Sequence, residues 1–218
     1  MLCVMSAVPH LPRPLCPACQ RPLRGCVCRW VTPTDNLTDV LLLQHPLETG
    51  NAKNSLRLLQ LSLARRRLMV GEAFLPNELE RMLFGPGAVA AGATPLLLYP
   101  QTPGIPAAPA PEIDPARPLR LVVLDATWRK SRKMLALNPL LLHLPRLALD
   151  APPSRYLIRK AHRADQVSTL EAVCHALSRL EGDSARYLPL LAAFDGFVAQ
   201  QLDCRDAAKR SAQTDAPS

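Results

Sequence analysis

The sequence lacks an uninterrupted apolar run long enough to cross a lipid bilayer. Although 48% of its 218 residues are apolar, Pro, Arg or Glu interrupts every leucine cluster before the roughly 18 to 20 residues that a membrane-spanning helix needs. The first fifteen residues also lack the basic start and the long apolar centre of a signal peptide. We therefore expect a soluble protein without a membrane partner, located in the cytoplasm. The length favours one main domain with small additions.

Acidic residues are scarce in the part of the chain where basic residues are concentrated. Between Arg117 and Arg163 there are eleven lysines and arginines against Asp125 and Asp150, a net charge of +9, whereas the whole chain carries +8. Such a concentration of positive charge is typical of a surface that binds a polyanion, since neutralised phosphates release their counterions. A solvated basic face explains the composition alone equally well. The position of these cations around Asp125 favours RNA.

No histidine lies within the cluster of four cysteines, formed by Cys16, Cys19, Cys26 and Cys28. Cys-x-x-Cys followed by a close Cys-x-Cys can bring four thiolates to one tetrahedral zinc ion, and a cytoplasmic chain would not use them for disulfides. Because four thiolates leave no open position, the predicted zinc site is structural rather than catalytic. The alternative is a redox-sensing or incidental cysteine cluster.

Strand-like and helix-like segments alternate along the rest of the chain. Short apolar runs that end at proline or at a polar residue predict strands, and leucines on one face predict helices. The alternation predicts an α/β fold, with a mainly parallel sheet and helices on both faces. The predicted strands are residues 39–45, 94–99, 119–124 and 144–149, and the predicted helices are 54–67, 129–137, 168–180 and 187–203.

Composition divides the chain into three parts. Residues 1–36 are predicted to form an N-terminal segment that contains the four clustered cysteines, which we call the cysteine knuckle. Residues 37–204 are predicted to form the main domain. Residues 205–218 have no apolar pattern and are predicted to be a disordered tail.

Recurring prolines make residues 100–118 an extended surface loop. Ser168 and Glu171 have the spacing of a capping box, which predicts the start of a helix.

Polar side chains follow three of the predicted strands at their carboxyl ends, where sheets of this class bind ligands. They are His45, Tyr99 and Asp125. A carboxylate directly after four apolar residues is costly unless the strand end opens into a cleft, so Asp125 is the main candidate. As the alternative, its carboxylate caps the next helix, and Thr127 is similarly ambiguous. Trp128 is either a core residue or a platform for an unstacked base.

Asp125-Ala-Thr-Trp128 resembles the signature of the DTW-domain family. Four further segments match that family in the same order. They are the cysteine knuckle, His45-Pro-Leu-Glu48, Asn54-Ser55 and Ser168-Thr-Leu-Glu-Ala172, and the matches extend from about Cys16 to Leu180. The chain departs from the pattern at Ser55, where the family has threonine, but serine keeps the hydroxyl.

The resemblance implies a fold and a reaction. Proteins of this family are tRNA-uridine aminocarboxypropyltransferases related to the SPOUT superfamily, so we expect a SPOUT-like domain with a C-terminal trefoil knot that holds S-adenosylmethionine. In the implied reaction, N3 of a uridine in tRNA attacks the γ-carbon of the donor's amino acid chain, and methylthioadenosine leaves. Because N3 must lose its proton, Asp125 is the candidate base, an effect worth about 10² to 10⁴ in rate.

The implied site comprises four groups of residues. The catalytic group is Asp125, Thr127, Trp128, His45 and Glu48, of which the last two are expected to orient the amino or carboxylate group of the donor. The expected cofactor contacts are Leu98, Tyr99, Pro100, Ala126, Leu157, Ser168 and Thr169. The expected RNA contacts are Arg129, Lys130, Arg132, Lys133, Arg155, Arg159, Lys160 and Arg163, and the four cysteines are the expected ligands of a structural zinc ion.

Two other functions remain open from the sequence. A methyltransferase that modifies RNA would use the same donor and, in related folds, the same knot. A non-catalytic RNA-binding protein would need only the zinc knuckle and the basic surface.

Overall fold

Five apolar segments form one parallel sheet in the structure, a computed structural model that describes residues 14–51, 54–86, 92–101, 114, 117–149 and 168–214, with side chains up to residue 204. The strands lie in the order β2-β1-β4-β3-β5, and every pairing is parallel. Their bounds are β1 Asp39–Gln44, β2 Arg66–Val70, β3 Thr94–Leu98, β4 Leu119–Asp125 and β5 Arg146–Leu147.

Six α-helices accompany the sheet in the described part of the chain. Ser168 accepts a hydrogen bond from the backbone of Glu171, whose carboxylate bonds the backbone of Ser168 in return, so the predicted capping box is present. The helices are α1 Leu56–Ser62, α2 Pro76–Phe84, α3 Trp128–Leu137, α4 Pro139–Leu142, α5 Thr169–Glu181 and α6 Leu188–Thr214. None of them is both long and apolar enough to span a membrane.

Alternate residues of the central strands face two separate cores. Val40 and Val123 pack on one side of the sheet with α1, α5, α6 and the cysteine knuckle. Leu41 and Val122 pack on the other side with α2, α3 and α4. The structure therefore confirms the predicted α/β class with a parallel sheet between two layers of helices. The predicted knot includes the segment 157–169, of which residues 157–167 lie outside the described residues.

Edge strands account for the main errors of the sequence prediction. The helix predicted over 54–67 ends at Ser62, and the arginine-rich segment after it is β2, a partly exposed edge strand that pairs only with β1. An edge strand has one neighbour and little burial, so it lacks the apolar run by which the central strands are predicted.

Three other elements differ from the sequence prediction. Helix α2 is not predicted, β5 is only two residues long, and α6 continues past residue 203 to Thr214.

Candidate active site

A cavity of about 580 Å³ opens at the carboxyl ends of β1, β3 and β4. The chain leaves β1 and β4 in opposite directions, toward β2 and β5, which makes their boundary the topological switch point where such sheets bind ligands. The volume of the cavity suits a ligand of nucleoside size. Residues from β3, β4, β5, α3, α5 and the segment between β1 and α1 line it. They include Glu48, Asn51, Asn54, Leu98, Tyr99, Pro100, Asp125, Ala126, Thr127, Trp128, Ser131, Ser168 and Thr169.

The carboxylate of Asp125 is the meeting point of three segments. Oδ2 accepts hydrogen bonds from the side-chain amides of Gln44 at 3.0 Å and Asn54 at 2.7 Å, and Oδ1 accepts one from the hydroxyl of Thr169 at 2.8 Å. Gln44 is its register neighbour on β1, and Thr169 begins α5. Asp125 is 5% exposed, so these three bonds satisfy most of a carboxylate that would be costly to bury alone.

Glu48 places a second carboxylate in the cavity wall. Its Oε1 accepts a 2.8 Å hydrogen bond from Lys130 on α3, and Oε2 accepts one from Asn51 at 3.2 Å. Burial acts to raise the pKa of Glu48, but the bonds from Lys130 and Asn51 outweigh it and hold the pKa below its ordinary value. Glu48 is therefore a charged group at neutral pH.

His45 supports this wall from behind. Its Nδ1 accepts a hydrogen bond from the backbone N–H of Leu47, which caps the short turn Pro46–Glu48. Nε2 therefore carries the ring proton and donates to Glu72 at 3.1 Å. Glu72 also accepts a hydrogen bond from Lys133, and these two bonds lower the pKa of Glu72. With both ring nitrogens engaged, His45 holds the turn that carries Glu48.

Aromatic rings form the opposite wall. Tyr99 is buried, and its hydroxyl hydrogen-bonds that of Ser131 at 3.1 Å. Trp128 is 49% exposed and meets the Tyr99 ring edge-on, with 5.7 Å between centroids. The structure thus places Trp128 at the rim of the cavity rather than in the core. A half-exposed indole with a fixed orientation offers a surface on which a flat base can stack.

Helix α3 begins at the cavity with positive charge. Its first turn contains no acidic residue, although the helix dipole favours acids there. Arg129 and Arg132 are exposed, and within the described residues neither has a hydrogen-bond or ion-pair partner. Lys130 and Lys133 differ, since they pair with Glu48 and Glu72. Of the four cations expected to bind phosphate on this helix, two are therefore available.

The four clustered cysteines converge as the spacing predicts. Their sulfur atoms all lie within 4.8 Å of one another, which suits the four ligands of one tetrahedral zinc ion. Backbone hydrogen bonds from Cys19 and then Ala18 lower the pKa of Cys16 to about 6, so the knuckle already favours a thiolate. Burial raises the pKa of Cys28 to about 12.

Several residues of the site were not found from the sequence. Gln44, Glu72 and Ser131 act through side-chain contacts that depend on strand register and on loop positions. Asn54 was recognised as part of a motif and as a candidate helix cap, but nothing in its local sequence indicates that it bonds Asp125. In contrast, Leu157, Arg155, Arg159, Lys160 and Arg163 were expected at the site but lie outside the described residues.

Known proteins resemble this chain over most of its length. The DTW domain family matches residues 13–202. A protein of Drosophila melanogaster named tRNA-uridine aminocarboxypropyltransferase 2 is 31% identical over 210 residues, which cover 91% of this chain and 79% of that protein. One of Arabidopsis thaliana named tRNA-uridine aminocarboxypropyltransferase A is 30% identical over 203 residues, covering 80% of this chain and 75% of that protein. No solved structure matches. Cysteine cluster, strand-end carboxylate and sequence similarity agree, and the chain belongs to the DTW domain family.

Proposed function

We propose that this protein transfers the 3-amino-3-carboxypropyl group of S-adenosylmethionine to N3 of a uridine in tRNA. The observation that carries the proposal is the convergence of three DTW-family motifs on Asp125 inside one cavity of nucleoside size. The names of the relatives support the same reaction. In it, the new bond joins N3 to the γ-carbon, the bond from that carbon to sulfur breaks, and methylthioadenosine departs with the electron pair.

Asp125 is the proposed acceptor of the N3 proton. A carboxylate offers about four lone-pair positions, and three are occupied by Gln44, Asn54 and Thr169. One remains for a proton donor in the cavity that Asp125 lines. The same three bonds fix the direction of that position, so proton transfer and alignment of the two reactants both depend on the network.

Glu48 is the proposed partner of the donor's ammonium group. It is charged, it lines the cavity, and its position is held by Lys130, Asn51 and the turn that His45 caps. Binding the ammonium would leave the γ-carbon turned toward N3, which distinguishes this transfer from methyl transfer by the same donor. We place His45 as a support of Glu48 rather than as a direct contact. Leu98, Tyr99, Pro100, Ala126, Ser168 and Thr169, which also line the cavity, are the proposed remaining donor contacts.

The acceptor tRNA is proposed to approach along the start of α3. Trp128 supplies a stacking surface at the rim, and exposed charge is supplied by Arg129, the next residue, and by Arg132, one turn further along α3. Single-stranded RNA is commonly bound by this combination of a stacking ring and cations. Thr127 lies between Asp125 and Trp128 and is proposed to shape the passage between donor and base.

Cys16, Cys19, Cys26 and Cys28 are proposed to hold one structural zinc ion. The spacing and the converging sulfurs fit such an ion, which would hold the knuckle folded. Metal analysis of the purified protein tests this directly. One zinc per chain is expected, whereas four free thiols in a folded, metal-free preparation would contradict it.

Donor labelling tests the reaction itself. Unmodified tRNA is incubated with the protein and with S-adenosylmethionine labelled either on the carboxyl carbon or on the methyl group. We expect carboxyl label in the tRNA and none from the methyl. Methyl label alone would establish methyl transfer, and no transfer from either label with retained tRNA binding would favour a binding protein. Nucleoside mass spectrometry of tRNA from a deletion strain identifies the modified nucleoside that is lost.

A further inference from the structure

The cysteine knuckle is bonded to the segment that leads into the cavity. Arg57 on α1 donates hydrogen bonds to the backbone carbonyls of Cys19 and Ala18, each at 3.1 Å. Arg21, two residues beyond Cys19, donates from Nη1 to the backbone carbonyl of Asn54 at 2.9 Å. The knuckle therefore contacts both the start of α1 and the residue that bonds Asp125.

Arg21 is in an environment that is costly for a cation. It is 8% exposed, and its guanidinium lies 5.1 Å from the centroid of the Phe197 ring on α6. A buried arginine has lost most of its hydration, so contacts within the protein must stabilise its charge.

Asn54 connects Arg21 to the cavity. Its carbonyl accepts the bond from Arg21, its Oδ1 accepts from the backbone N–H of Leu56 at 2.6 Å, and its Nδ2 donates to Asp125 at 2.7 Å. These bonds fix the residue on both its main chain and its side chain. Two hydrogen bonds thus join the cysteine knuckle to the cavity carboxylate, by way of Asn54.

We propose that Arg21 is a positioning residue that couples the cysteine knuckle to the donor pocket. Arg21 holds Asn54 through its backbone carbonyl, and the side-chain amide of Asn54 keeps Asp125 aligned. The proposal rests on the proposed function, since S-adenosylmethionine is taken as the ligand of the cavity.

The first experiment measures donor affinity of the zinc-loaded full chain by calorimetry. Arg21→Met is expected to keep its zinc and to bind S-adenosylmethionine about tenfold more weakly. Arg24→Met is the matched control, because Arg24 is an exposed arginine of the same knuckle. Arg21→Lys, which keeps a donor, should recover part of the affinity. Equal affinities for Arg21→Met and wild type would overturn the coupling, and so would loss of zinc from Arg21→Met, since the guanidinium would then serve the cluster itself.

A double-mutant cycle shows whether the effect passes through Asn54. Asn54→Ala removes the bond to Asp125, so Arg21→Met should cost little further affinity when introduced into that variant. Additive losses would mean that Arg21 acts by another route, and the coupling through Asn54 would be wrong.

Amide hydrogen exchange gives a readout that needs no donor. The Leu56 amide donates to Asn54, so its exchange should become about tenfold faster in zinc-loaded Arg21→Met and stay unchanged in Arg24→Met. Unchanged exchange in Arg21→Met would overturn the coupling whether or not the donor binds. If the two variants show this exchange pattern but wild type does not bind S-adenosylmethionine, the proposed function fails and the coupling stands.

Discussion

The side-chain amide of Asn54 donates a 2.7 Å hydrogen bond to the carboxylate of Asp125, across 71 positions of sequence. The local sequence of neither residue predicts this contact. The bond joins the segment after β1 to the end of β4. Thr169 completes the junction from α5. Every variant of this network therefore tests both the chemistry and the geometry of the cavity.

Replacing Asp125 with alanine should abolish turnover while tRNA still binds. The variant loses the proposed proton acceptor, which predicts a fall of about 10² to 10⁴ in kcat, whereas the exposed arginines of α3 are untouched. Single-turnover rates and filter binding of tRNA measure the two effects. Asp35→Ala is the control, because Asp35 is an exposed acid that precedes β1, whereas the cavity lies at the carboxyl end of that strand. Turnover by Asp125→Ala near the wild-type rate would remove Asp125 from the chemistry.

Much of this cavity could be predicted because it depends on strand ends. A polar residue after a buried strand is costly, and parallel strands bring their carboxyl ends together, so Asp125 and Tyr99 were found from residues alone. The role of Glu48 came instead from the family resemblance. Gln44 could not be found, since its contact with Asp125 requires the parallel register of β1 and β4. Register is a property of the assembled sheet.

The error at β2 had a consequence for the site. The predicted helix over 54–67 includes the first two residues of β2, and no strand is predicted there, so the sequence does not place the loop after β2 near β1. In the structure this loop brings Glu72 to His45 and Lys133. The strand end and the family resemblance predict that His45 orients the donor, whereas in the structure both of its ring nitrogens bond within the protein. A weakly apolar edge strand hides such partners from sequence reasoning.

Replacing Glu48 with glutamine should weaken binding of the donor but not of its product. Glutamine keeps the size of the side chain and removes the charge that is proposed to hold the ammonium group. Affinity for S-adenosylmethionine should fall by about tenfold or more, the loss of one charge-assisted hydrogen bond, whereas methylthioadenosine, which lacks that group, should bind as before. Because the pKa of Glu48 is lowered, wild-type affinity should not change through this group across the neutral range. An equal loss of affinity for both ligands would indicate that the substitution disrupts the cavity wall and does not simply remove a contact with the ammonium group.

Removing the two available arginines of α3 should reduce the salt dependence of tRNA binding. For Arg129→Gln with Arg132→Gln, the slope of log affinity against log salt should become shallower by about 1 to 2, since each phosphate contact contributes about 0.7 to 0.9. Donor affinity should not change. Arg81→Gln, an exposed arginine on α2, controls for a general loss of charge. An unchanged slope in the double variant would show that tRNA does not cross this end of α3.

Two buried arginines should respond in opposite ways to replacement by methionine. Arg120 is fully buried, bonds Asp39 at 2.7 Å and donates to the carbonyls of Met82 and Gly85, each at 3.0 Å. Arg146 is 3% exposed and lies against the Tyr99 ring, with 5.9 Å to its centroid. In the described part of the chain, none of its three guanidinium nitrogens has a hydrogen-bond partner.

Burying a charge without partners opposes folding, whereas removing one member of a buried ion pair leaves the other uncompensated. Arg120→Met should therefore lower the free energy of unfolding by about 3 to 5 kcal/mol, and Arg146→Met should raise it by about 1 kcal/mol. Urea unfolding of the zinc-loaded variants measures both. If Arg146→Met lowered the free energy of unfolding as much as Arg120→Met does, the prediction would be wrong. The guanidinium of Arg146 would then be paired in solution.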